Sequence, residues 1–140
     1  MAVLEGLEPK KVFGFFERLS AIPRGSGNTK AASDYIVSFA KERSLPCRQV
    51  EANNVIIFAP ASPGREDSAP LLLQGHIDMV CEKTPDCAKD MACEGLDLAV
   101  SDGNVRALGT TLGADDGAAQ RSQYRIMRHP SGSLLNVCAA

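Results

Sequence analysis

The sequence predicts an α/β domain in which helices are layered on a mixed sheet, and three observations carry that expectation. Two stretches near the start repeat apolar residues at helical spacing: Val12, Phe13, Phe16 and Leu19, then Ala32, Tyr35, Ile36, Phe39 and Ala40. Past Pro46 the pattern changes, and Val55-Ile56-Ile57-Phe58-Ala59 is a continuous apolar run with the β-branched content of a strand buried on both faces. The whole chain has 140 residues, close to the commonest single-domain size of roughly 100–150. Helices and strands should therefore share one core.

Each element has a local reason. Pro9 favours the first turn of a helix, where its missing N–H costs nothing, and Pro23 ends that helix. Arg24-Gly25-Ser26-Gly27-Asn28 is loop chemistry, with Asn28 placed to cap a second helix that runs through about Arg43. Cys47 to Val50 reads as a short strand. Residues 60–69, PASPGREDSA, hold two prolines, a glycine and three charges and form an exposed connection. Pro70 to Gly75 is the next strand. Leu96 to Val100 and Asn104 to Leu108, flanking Ser101-Asp102-Gly103, read as a hairpin closed by a glycine-containing turn.

Fifteen basic and seventeen acidic residues leave a net charge of −2, which gives no electrostatic footprint for nucleic acid or an anionic membrane surface. No apolar run approaches the ~20 residues of a membrane span, and MAVLEGLEPKK lacks the basic-then-apolar order of a signal peptide. The expected location is the cytoplasm. A domain of this size needs neither disulfide nor metal merely to stay folded. Five cysteines, none in a C-x-x-C pair, fit free thiols in a reducing compartment. A thiol site at Cys81, Cys87 and Cys93 would require a markedly depressed pKa.

The chemistry concentrates in two segments. Leu71-Leu72-Leu73-Gln74-Gly75-His76-Ile77-Asp78 is an apolar strand ending in a histidine and a carboxylate two residues apart. If extended geometry persists to Asp78, the side-chain period of two points both residues the same way. A nearby carboxylate can fix the second nitrogen of a ligating imidazole and raise its basicity. The same short pattern also suits a satisfied surface pair. The second segment, Gly109-Thr110-Thr111-Leu112-Gly113-Ala114-Asp115-Asp116-Gly117, joins three glycines of sharp-turn type to adjacent carboxylates, which are hard oxygen ligands. A carboxylate can bridge two ions that share a nucleophilic water, and a polar Gly-Asp turn has the same composition.

The order strand, His76-x-Asp78, V-C-E-K-x-P-D at 80–86, hairpin, then G-T-T-L-G-A-D-D-G resembles the aminoacyl-histidine dipeptidases. This family, also called peptidase D or cytosol nonspecific dipeptidases, belongs to the carnosinase-like dinuclear zinc metallopeptidases. The resemblance extends back through Asn53-Asn54-Val55-Ile56-Ile57 and Ala21-Ile22-Pro23-Arg24-Gly25-Ser26-Gly27-Asn28-Thr29 to about residue 9. It implies the N-terminal part of a zinc-exopeptidase catalytic domain, with residues 1–118 a partial catalytic domain. By residue, it implies that His76 is a zinc ligand, that Asp78 is the catalytic-site carboxylate orienting it, and that Asp115 bridges two zinc ions. Those ions would polarise the scissile carbonyl and lower the pKa of a shared water toward ~7, whose proton a glutamate takes. The substrates implied are small dipeptides with a free amino terminus, Xaa-His among them, and the full-length family allows a homodimer.

After Gly117 the family's glutamate pair is not found. Ala118 to Ala140 contains no acidic residue, and Gln120-Arg121-Ser122-Gln123 stands where the family continues into a small-residue and apolar helix. The expectation is that residues 119–140 are an aberrant, poorly packed tail from a frameshifted or prematurely terminated frame, and that the chain alone is inactive. His129, a lone histidine before proline, reads as a tail residue. The alternative to a dipeptidase is a noncatalytic metal- or peptide-binding module that retains a partial site.

Overall fold

The computed structural model describes residues 2–115, Gly117 and, as backbone, residues 134–138. Two helices, α1 (Lys10–Ser20) and α2 (Lys30–Lys41), precede strands β1 (Cys47–Gln49), β2 (Val55–Phe58) and β3 (Leu72–His76). The hairpin strands β4 (Leu98–Ser101) and β5 (Asn104–Ala107) follow, and β6 (Leu134–Cys138) comes last. The main sheet runs β1-β2-β6-β3, antiparallel except where β3 lies parallel to β6, and β4 and β5 pair separately. This is the layered α/β arrangement with a mixed sheet that the sequence predicts. Among the described residues no helix is long and apolar enough to cross a membrane.

The helices bury the faces their spacing dictates, with one rotation. In α1 the buried residues are Val12, Phe15, Phe16, Leu19 and Ser20, and Phe13 is only half-buried. Phe15 is the residue the sequence reading left out. Its ring meets Phe39 of α2 edge to face, 5.0 Å between centroids at 70°, a geometry that aromatic quadrupoles favour. Helix α2 buries Ala32, Ser33, Ile36, Phe39 and Ala40, with Tyr35 packed at the margin. Asn28 does not cap it. The N-cap position belongs to Thr29, which makes no side-chain cap bond, while the Asn28 amide donates to the Ala92 carbonyl at 2.8 Å. A tertiary acceptor has taken the capping side chain.

In β2, Val55 and Ile57 are fully buried while Ile56 and Phe58 are only partly covered, so one face is closed rather than two. The core joins Phe15, Leu19, Ile36, Phe39, Val55, Ile57 and Ile77. Strand β6 falls inside the stretch expected to be a poorly packed tail, yet its backbone pairs with β2 on one side and β3 on the other. For these five residues the structure puts a central strand where the sequence reading has tail. Apart from them, the tail expectation and His129 lie outside the described residues.

Candidate functional site

Burial alternates along the end of β3 and beyond: Gly75, Ile77 and Met79 are buried, whereas His76 and Asp78 are half-buried. Extended geometry therefore continues past the last ladder residue, and Ile77, with no exposed surface, anchors the segment in the core. His76 and Asp78 then share a face, with His76 Nδ1 at 2.8 Å from Asp78 Oδ1. A carboxylate can only accept there, so in the neutral ring Nδ1 carries the proton and Nε2 the lone pair. The other carboxylate oxygen, Oδ2, accepts from the Ser26 hydroxyl at 2.6 Å. Burial pushes the Asp78 carboxyl up, but the hydrogen bonds from Ser26 and His76 outweigh it and hold its pKa below the ordinary value.

The two segments singled out in the sequence lie side by side. Thr111 N–H donates to Glu82 O at 2.9 Å, its hydroxyl to Val80 O at 2.6 Å, and Thr84 N–H to Gly109 O at 2.9 Å. Lys83 and Thr110 form an antiparallel bridge. The stretch after Asp78 is thereby zipped to the stretch before Asp115.

Arg24 completes the connection, and sequence reasoning missed it by treating it as loop chemistry. Its side chain is buried, with 1% of its surface exposed. Nη1 donates to Ile77 O at 3.0 Å and Asp78 O at 3.2 Å, and Nη2 donates to Gly113 O at 2.6 Å. Its own carbonyl accepts from Met79 N–H at 2.9 Å. One guanidinium thus holds both turns. Burial lowers its pKa from the usual arginine value, opposed by the nearby Cys81 and Asp78. Gly113 has φ +59°, and a Cβ there would come within 2.6 Å of Met79 Sδ and 2.7 Å of Arg24 Nη2. The turn needs glycine on both counts.

Asp115 lies two residues beyond this tie and is exposed. The donor chemistry fits part of a zinc site: an imidazole whose second nitrogen is bonded to a carboxylate, and an acidic oxygen donor on the adjoining turn. Among the described residues no three His, Cys, Asp or Glu side chains come together as a metal-holding group. Asp116 lies outside the described residues. The thiol site fails its own requirement at two positions. Burial pushes the Cys81 thiol up, and the Asp90 hydrogen bond does so at Cys93.

Comparison with known proteins bears on this arrangement. The chain is 32% identical over 127 residues to the cytosol non-specific dipeptidase of Escherichia coli strain K12, a match that covers 91% of this chain and 26% of that protein. The crystal structure of an aminoacylhistidine dipeptidase from Vibrio alginolyticus superposes with a TM-score of 0.87 at 32% identity, over 96% of this chain and 28% of that one. This chain resembles part of an aminoacyl-histidine dipeptidase. It spans about a quarter of the length of these relatives. A tripeptidase from Staphylococcus aureus, with a TM-score of 0.73 at 18% identity over 93% of this chain and 36% of that one, shares the fold. No family profile matches the chain.

Proposed function

We propose that this chain supplies part of the catalytic centre of a zinc-dependent dipeptidase of the aminoacyl-histidine type, acting on small dipeptides including Xaa-His in the cytoplasm. The reading rests on one observation above the others. The His76–Asp78 pair stands at the end of β3, bonded at 2.8 Å, and Arg24 ties its turn to the turn that leads into Asp115. The names of the similar proteins support the substrate class.

In this reading His76, through Nε2, and Asp115 are metal ligands, and Asp78 holds the His76 ring in the tautomer that leaves Nε2 able to ligate. Zinc ions, two in the full-length family, would supply Lewis acidity and a water acidic enough to deprotonate near neutral pH. The residues of this chain position the donors, and the net charge of −2 is in keeping with a small substrate rather than a polyanion. The homodimer allowed by the family is part of the same proposal.

The test is zinc binding by the full chain, measured by competition with a chromophoric chelator. Binding should be weakened by His76→Ala and by Asp115→Ala. Zinc binding that is indifferent to both substitutions would overturn the assignment.

A further inference from the structure

Asp78 has both carboxylate oxygens engaged. Oδ1 accepts from His76 Nδ1 at 2.8 Å and Oδ2 from Ser26 Oγ at 2.6 Å. His76 Nδ1 also lies 3.2 Å from the Asp78 carbonyl, so the imidazole has a competing acceptor on the same residue. Which oxygen it meets depends on where the carboxylate plane is held. The Asp78 side chain is 13% exposed, so water has little access to fix that plane, whereas Ser26 is exposed on the 24–28 loop. Removing the hydroxyl costs the fold little. It frees the carboxylate to rotate.

We propose that Ser26 is a positioning residue for the His76 imidazole, acting through Asp78, so that a loop 50 residues upstream in sequence holds the carboxylate that orients the ring. This rests on the reading of His76 as a ligand. Partners one step behind a ligand typically contribute 10–100-fold in metal affinity, and Ser26 belongs at about the lower bound, because Asp78 stays in place when Ser26 is changed.

Two readouts test it on the full chain. The first is the nitrogen chemical shifts of His76 at about pH 8, assigned against His129→Gln. They should report a proton on Nδ1 in both proteins, with the Nδ1 resonance displaced in Ser26→Ala as the bond to the carboxylate weakens in favour of the Asp78 carbonyl. The second is zinc affinity by chelator competition, expected to fall about 10-fold in Ser26→Ala and to return in Ser26→Thr, which keeps the hydroxyl. Unchanged shifts in Ser26→Ala would overturn the proposal, as would a zinc affinity equal to wild type or a loss that Ser26→Thr fails to restore. If the wild type binds no zinc, the ligand reading fails by itself, and the shifts still decide whether Ser26 positions the ring.

Discussion

Replacing Arg24 by methionine isolates what a buried guanidinium does in this fold, since methionine keeps much of the apolar stem and removes every donor. Three carbonyls lose a partner: Ile77 O, Asp78 O and Gly113 O. The bond to Ile77 O is buried, and the other two are only partly so. Leaving a buried acceptor unmade costs about 1–3 kcal/mol, and acceptors that water can reach cost less. Against this stands the desolvation of the guanidinium, which the variant no longer bears. The net expectation is a loss of about 2–4 kcal/mol, a large share of the 5–15 kcal/mol typical of a domain. With a slope of about 2 kcal/mol per molar urea, the midpoint should fall by about 1–2 M, and Arg24→Lys should recover only part, because one ammonium cannot serve three carbonyls on two turns. A midpoint within about 0.25 M of wild type, at unchanged slope, would mean that Arg24 does not hold the turns together.

Two further outcomes follow from the same contacts. The Asp78 carboxyl has a lowered pKa in the fold, so its contribution is present above the unfolded value of about 3.9 and is lost as pH falls through the folded value. Urea midpoints from pH 6 down to pH 2 should decline, and Asp78→Asn should decline less over the same range. A Cβ added at Gly95 would lie 2.4 Å from the Ala21 carbonyl oxygen, where the neighbour is backbone and cannot step aside. Gly95→Ala should therefore destabilise by about 1–3 kcal/mol, the usual cost of overpacking, and thermal melting with no shift would contradict that close approach.

How far the sequence could be read depended on whether the deciding partner was local. The stripes of α1 and α2 follow from a period of 3.6, and even the error there was small. Phe15 rather than Phe13 carries the heavier burial because it faces Phe39. The β4–β5 hairpin was legible from the turn between its strands, Ser101-Asp102-Gly103, where Asp102 and Gly103 both take positive φ. Strand β6 was not legible, because its place between β2 and β3 is set by pairing with residues far away in sequence. Arg24 was hidden for the same reason. A cation in a glycine-rich loop reads as solvated, and its acceptors are carbonyls 53, 54 and 89 residues further along.

The candidate site shows the same division within a single side-chain pair. That His76 and Asp78 share a face is a matter of strand period, and it holds because Ile77 between them is fully buried and keeps the chain extended beyond the ladder. That they meet at 2.8 Å is not a property of the strand alone. Ser26 holds the other carboxylate oxygen and Arg24 the backbone of the same turn. Both come from the loop between α1 and α2, and that loop is tied back to β3 through the Met79–Arg24 backbone bond. The sheet therefore chooses the face, and the loop chooses the orientation. Substitutions in the loop should alter donor geometry while leaving the sheet intact, whereas substitutions at Ile77 should disturb both together.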